Sequence, residues 1–393
     1  MRICGIICEY NPFHNGHAYL LEKARAESGC DAIVCVMSGN FTQRGEIAIL
    51  DKYMRAEHAV RAGADAVLEL PAVFALSPAE LFAKGAVQLL CSIPAFRILA
   101  FGCESGGKAE FLSAAASASE PESNRFKEIL HVCMQAGKSF LRARQEALAA
   151  DGKTDLADML SSPNNILGTE YTKALFSLGS NADILPVLRR GANYGDTQLQ
   201  HAYSSATAIR IAVREGKQDR LVRKNVPDFV ADDLNRCIDS DIYKKIALYA
   251  VMAATETTLR KAADCCEGLE NRIKAVAASA PDYDELISKV TGKRYTAARI
   301  RRILAANVLG IEKGFAQKCM RSSMYLKPLA VKKDRANELL SALAQASAPL
   351  LVRHGDLSKT DKTAKEALRI DKLADGIFSL AAGKAMKGQT LFI

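Results

Sequence analysis

Apolar and polar positions alternate in blocks along the first half of the chain. Residues 2–8 (RICGIIC), 31–37 (DAIVCVM), 65–70 (DAVLEL), 97–103 (RILAFGC) and 182–188 form short, near-continuous apolar runs rich in β-branched residues. Such runs predict strands buried on both faces. Between them, residues 14–28, 53–62, 78–90, 167–178 and 205–215 carry the spacing of helices. One of these stops at Gly63, a residue suited to a left-handed cap. Strands alternating with helices predict an α/β fold with a parallel, Rossmann-like sheet, whose ligands bind where strand ends meet helix starts. Residues 109–160 are rich in Ala, Ser and Glu and read as a helical insertion. Beyond 216 the strand signals fade, and 243–253, 268–278 and 297–309 read as helices. The expected division is an α/β domain over 1–215 and a mainly helical domain over 216–393.

Composition narrows this picture. With 393 residues, 49% of them apolar, the chain can bury more than one core. It contains no apolar run of eighteen residues, so no membrane span is expected, and its start lacks the pattern of a signal peptide. Eleven cysteines, an odd number without a CxxC pair, point to free thiols in a reducing cytoplasm, with neither disulfides nor a structural metal site. The net charge of +9 admits a polyanionic partner, and equally a merely basic soluble enzyme.

The sharpest local signal, EYNPFHNGH at 9–17, lies between the first strand and the first helix. His14 and His17 stand three residues apart at a helix start, where free N–H groups and the helix dipole make a seat for phosphate. Gly16 lets a nucleotide approach the backbone, and the imidazoles can donate to phosphoryl oxygens as charge develops. Far downstream, Ser205, Thr207 and Arg210 of SSATAIR could cap a helix and reach the same anion. Taken alone, that stretch is as well explained by a plain cap with an exposed arginine. Asn40, Gln43, Arg44 and Lys52 follow the second strand, where they could meet an acyl group, an RNA or only water. Asn164 and Asn165 follow Pro163, as a turn and helix cap would. Basic residues recur in the second half. Among them Arg294, Arg301 and Arg302, beside Tyr295, could form a surface for a phosphate backbone or a solvated helix face.

Together these pieces resemble the bacterial tRNA(Met) cytidine acetate ligase family, of the HxGH nucleotidyltransferase superfamily. The resemblance runs along most of the chain: EYNPFHNGH at 9–17, MSGNFTQRGE at 37–46, GADAVLELP at 63–71, FGCE at 101–104, SPNNILGTEY at 162–171, RRGANYGD at 189–196, SSATAIR at 204–210 and KRYTAARIRR at 293–302. It implies an enzyme that makes acetyl-adenylate from ATP and acetate, then passes the acetyl group to N4 of the wobble cytidine of elongator tRNA(Met). By that resemblance ATP would be held by Ile7, Cys8, Glu9, Tyr10, Asn11, Pro12, Phe13, His14, Asn15, Gly16, His17, Ala18, Tyr19 and Leu20, with His14 and His17 catalytic. Gly102, Asn164, Arg189 and Arg190 would border the nucleotide, and superfamily analogy adds Ser205, Thr207 and Arg210. Mg²⁺ would offset the triphosphate charge. The sequence departs from the pattern at Gly195, where a histidine is expected, and at Ile47, where proline is usual. No residue stands out as a general base for acyl transfer. A metabolic adenylyltransferase would share the site but leave the basic half idle. A non-catalytic RNA-binding protein would leave the intact HNGH and SSATAIR elements unexplained.

Overall fold

In the computed structural model, which describes residues 1–191, 198–199, 202–216, 220–386 and 388–393, the five apolar runs become strands. They are β1 (Ile3–Cys8), β2 (Ala32–Ser38), β3 (Ala66–Leu70), β4 (Phe96–Cys103) and β5 (Asp183–Leu188). They pair in parallel in the order β5-β4-β1-β2-β3. Every residue of β2 and β3 is buried, as expected of strands covered on both sides. From β1 the chain winds outward to β2 and β3 on one side, then returns to lay β4 and β5 on the other. The crevice above the ends of β1 and β4 is therefore the switch point of the fold, where such sheets bind ligands.

Side chains along β1 alternate between two cores. Ile3 and Ile7 join Phe82, Val87 and Leu90 of one helix (α3, Ala79–Cys91), with Tyr171 and Leu175 of another (α4, Pro163–Ser177). Cys4 and Ile6 face the opposite layer, formed by α1 (Asn15–Glu27), α2 (Lys52–Arg61) and α5 (Ala206–Arg214) through Leu21, Ala24, Ala56, Val60 and Ile209. Gly5 sits where α3 approaches most closely, since a Cβ there would lie 2.7 Å from Leu90. Four helices lie between β4 and α4: Lys108–Ser119, Asn124–Gln135, Phe140–Ala150 and Thr154–Met159.

The second half is mainly helical, including α6 (Ala297–Leu309) and α7 (Lys362–Ala382), but it also returns to the sheet. β6 (Pro328–Val331) pairs antiparallel with β3, and β7 (Leu391–Phe392) extends it. These two strands escaped the sequence reading because four and two residues are too few to show a period. The helix-rich part after 215 thus completes the edge of the same sheet.

Candidate functional site

α1 begins at His14, whose extended backbone makes it the N-cap. Its Nδ1 accepts the Gly16 N–H at 3.1 Å, while its own N–H donates to His17 Nδ1 at 3.2 Å. This is a capping box built from two imidazoles. The rings stack with centroids 3.6 Å apart and planes 20° from parallel. Because each Nδ1 is an acceptor, a neutral ring must carry its proton on Nε2. Burial, reinforced by the charges of Arg189 and Arg210, pushes His14 down to about 3. Burial, His14 and Arg189 push His17 down as well. Both rings are therefore neutral at pH 7 and act as Nε2–H donors. Gly16 is needed for two reasons: a Cβ would meet the His14 ring at 2.9 Å, and it would close the backbone to a ligand.

The cradle around this turn is locked from three sides. Asn15 donates to the carbonyls of Ala202 (3.1 Å) and Lys224 (2.8 Å), which fixes α1 to the chain on either side of α5. Arg210 of α5 donates to the Asn11 carbonyl at 2.7 Å and to the Thr207 hydroxyl at 3.1 Å. Ser205 caps α5 through Ala208 N–H at 3.0 Å. At the edge of the crevice Arg190 lies 4.4 Å over the Tyr19 ring, and a Cβ on Gly102 would come to 3.6 Å from Arg189 Cγ. Asn164, at the start of α4, donates to Glu104 at 2.6 Å.

One pocket joins these elements. Its wall includes Ile7, Cys8, Glu9, Tyr10, Asn11, His14, Gly16, His17, Tyr19 and Leu20 from the first loop and helix, with Gly102, Asn164, Arg189, Arg190, Thr207 and Arg210. Gln43 and Arg44 also reach it. Pro12, Phe13, Asn15, Ala18 and Ser205 do not; Phe13 is fully buried in the core, and Asn15 and Ser205 serve the scaffold. The family model described as HIGH Nucleotidyl Transferase matches residues 1–390. The tRNA(Met) cytidine acetate ligase of Clostridium novyi (strain NT) is 35% identical over 94% of this chain and 93% of its own. That of Caldanaerobacter subterraneus subsp. tengcongensis is 41% identical over 80% and 79%.

The chain belongs to the tRNA(Met) cytidine acetate ligase family. Crystal structures agree. Apo Thermotoga maritima TmcAL superposes over the whole of both chains with a TM-score of 0.90 at 30% identity. The form of that protein bound with alpha-thio ATP gives 0.87 at 31% identity, over 97% of this chain and 95% of that one.

Within this family member, several residues read as substrate or tRNA contacts are placed elsewhere. Lys52 is fully buried, with Nζ 2.6 Å from Glu69 and 2.7 Å from Asp375 of α7. Asn40, also buried, donates to Asp375 at 2.9 Å and accepts the Lys52 backbone N–H at 3.0 Å. Both belong to an ionic cluster beneath the end of β3, because carboxylates distant in sequence neutralise a lysine that would otherwise seek solvent. Burial raises the Glu69 carboxyl, but Lys327 and Lys52 outweigh it and hold it at about 2. Burial and the Glu69 charge push Asp371 of α7 up to about 7 against the pull of Lys327 and Lys52. Arg302 is buried against Asp264 at 2.8 Å, and Arg301 pairs with Glu46 at 3.1 Å. They dock α6 on the 42–46 loop, where a Cβ on Gly45 would strike Arg302 N at 2.4 Å. Arg294 is exposed. Ile47 is buried and bridges Phe41, while Gly195 lies outside the described residues.

Sequence reasoning missed Arg55. Buried in α2, it donates to the carbonyls of Glu9 (2.5 Å), Ser38 (3.1 Å), Gly39 and Leu50 (3.0 Å). It thereby ties the loop after β1 to the loop after β2. The available signal was an arginine inside the amphipathic run YMRAEHAV, which reads equally as a solvated position.

Proposed function

We propose that this chain activates acetate with ATP to acetyl-adenylate and transfers the acetyl group to N4 of the wobble cytidine of elongator tRNA(Met), forming N4-acetylcytidine. The observation that carries this reading is the pair of neutral, stacked imidazoles at the start of α1, in a chain whose relatives along nearly their full length are tRNA(Met) cytidine acetate ligases.

In the first step an acetate oxygen attacks the α-phosphorus and pyrophosphate leaves. A carboxylate needs no base, so the protein supplies positioning and electrostatics. The Nε2–H groups of His14 and His17 donate to phosphate oxygens without carrying charge themselves. Arg189 and Arg210 supply the positive field, joined by the N-terminal end of α1. Mg²⁺ would enter with the triphosphate and offset its charge. In the second step the cytidine amine attacks the mixed anhydride and AMP leaves. Arg294 remains a proposed tRNA contact, and the cytoplasm is the compartment such a substrate implies. Among the described residues no helix is long and apolar enough to cross a membrane.

Acetate-dependent exchange of labelled pyrophosphate into ATP tests the reading. Wild type should exchange, and His17→Ala should lose about 100-fold or more, the scale of removing one transition-state donor. Exchange with another metabolite but not with acetate would favour a metabolic adenylyltransferase. No exchange with any acid would favour an RNA-binding protein.

A further inference from the structure

Transfer to an amine releases a proton. When the N4–C bond forms, the nitrogen becomes acidic, and collapse toward AMP is unproductive unless that proton leaves. The pocket offers few acceptors. The imidazoles of His14 and His17 have committed Nδ1 to the helix cap, so neither can take a proton without breaking it. Cys8 and Tyr10 are held protonated by burial. Two carboxylates line the wall, Glu9 and Glu46. Glu46 is ion-paired with Arg301.

Glu9 is different. It stands one residue past β1, at the switch point of the sheet. Its Oε1 accepts the Gln43 N–H at 2.7 Å and the Ser38 hydroxyl at 3.3 Å. Its Oε2 takes no hydrogen bond or ion pair among the described residues, so this oxygen is left for the pocket that Glu9 lines. Its backbone carbonyl is held by Arg55 at 2.5 Å. The carboxylate is thus anchored at one oxygen and available at the other.

We propose that Glu9 accepts the proton released when the cytidine N4 amine attacks the acetyl-adenylate carbonyl. The N4–C bond forms and the C–O bond to AMP breaks, its electron pair leaving on the phosphate oxygen. One N4 proton passes to Oε2 and then to solvent. Burial raises the Glu9 carboxyl above its ordinary value, against the Gln43 hydrogen bond, the charges of Arg55 (α2) and Arg210 (α5), and the Ser38 hydroxyl. That makes it a stronger base than a carboxylate in water. Arg44, Glu46 and Arg189 share the same pocket, and the two imidazoles beside it are neutral.

The inference rests on the acetate ligase reading, and its test separates the two. In the full chain, acetate-dependent pyrophosphate exchange reports adenylation. Single-turnover transfer from enzyme-bound acetyl-adenylate to transcribed elongator tRNA(Met), from pH 5 to 9, reports the second step. Glu9→Gln keeps an acceptor for Gln43 N–H and removes the base. Transfer should fall about 100-fold or more, the lower range for general-base catalysis, and at least tenfold further than exchange falls. Wild-type transfer should rise with pH, and in Glu9→Gln that rise should flatten. Glu9→Asp should recover part of the rate and the pH dependence. Equal losses of transfer and exchange in both variants would assign Glu9 to holding the Gln43 loop and overturn the proposal. Wild-type transfer in Glu9→Gln would overturn it too. A wild type inert toward acetate would instead overturn the underlying reading, before any variant is made.

Discussion

Lys52→Met removes one of the two ammonium groups that face Glu69, Asp371 and Asp375 beneath the end of β3. Lys52 is fully buried and touches two carboxylates at 2.6 and 2.7 Å. Met fills much of the same volume, so the change is chiefly electrostatic. Lys327, 2.7 Å from Glu69 Oε2, remains as a single cation. Removing one partner of a buried pair costs about 3–5 kcal/mol, a large part of a typical stability of about 5–15 kcal/mol. The cost should depend on pH, with a definite sign. Asp371 and Asp375 already have raised pKa values in the fold. Losing Lys52 raises them further, so the folded state binds more protons than the unfolded chain. Stability must then fall as pH climbs through that range. Urea unfolding at pH 5.5, 7 and 8 should show a deficit relative to wild type that grows with pH. An unchanged midpoint at all three, with a raised KM for tRNA, would refute the structural assignment and return Lys52 to the RNA-contact role that its position in the sequence admits.

Three further outcomes follow from the same geometry. Arg55→Met leaves four carbonyls around the Glu9 and Ser38 loops without their donor; at about 1–3 kcal/mol for each buried group left unsatisfied, the unfolding midpoint should drop and KM for ATP should rise. Gly45→Ala puts a methyl 2.4 Å from Arg302 N at a φ of 76°; a loss of about 1–3 kcal/mol in urea melts is expected, and a neutral melt would mean α6 is not docked there. His14 is held neutral at about 3 while the unfolded chain titrates near 6.5, so acid favours unfolding. From pH 7 to 5 this one ring should cost about 2 kcal/mol, and His14→Asn, which retains a cap, should lose that much less over the same interval.

What was legible in the sequence follows from how local its causes are. β1–β3 could be read because strands buried along nearly their whole length are almost wholly apolar, and β4 and β5, though partly exposed, because their apolar runs also stand alone between helix patterns. The turn that starts α1 and lines the pocket could be read because its parts are neighbours: strand, loop, His14, Gly16 and His17 lie within fifteen residues. β6 and β7 could not, since four and two residues carry no period, and their place depends on the edge that β3 presents. The charged residues failed for the same reason. Lys52 looks like a solvated lysine until Asp375, 323 residues away, is beside it; Arg302 looks like part of a basic face until Asp264 meets it. A charge in a sequence announces a cost of burial, and whether that cost is met is decided by partners that only the fold brings near. Glu9 is the converse case. It lies inside the motif that was read, yet its distinguishing property, one oxygen held by the loop after β2 and one left to the pocket, belongs to a contact across 34 residues. The second half-reaction, which no short motif marks, is therefore best sought among polar groups whose partners are distant and incomplete.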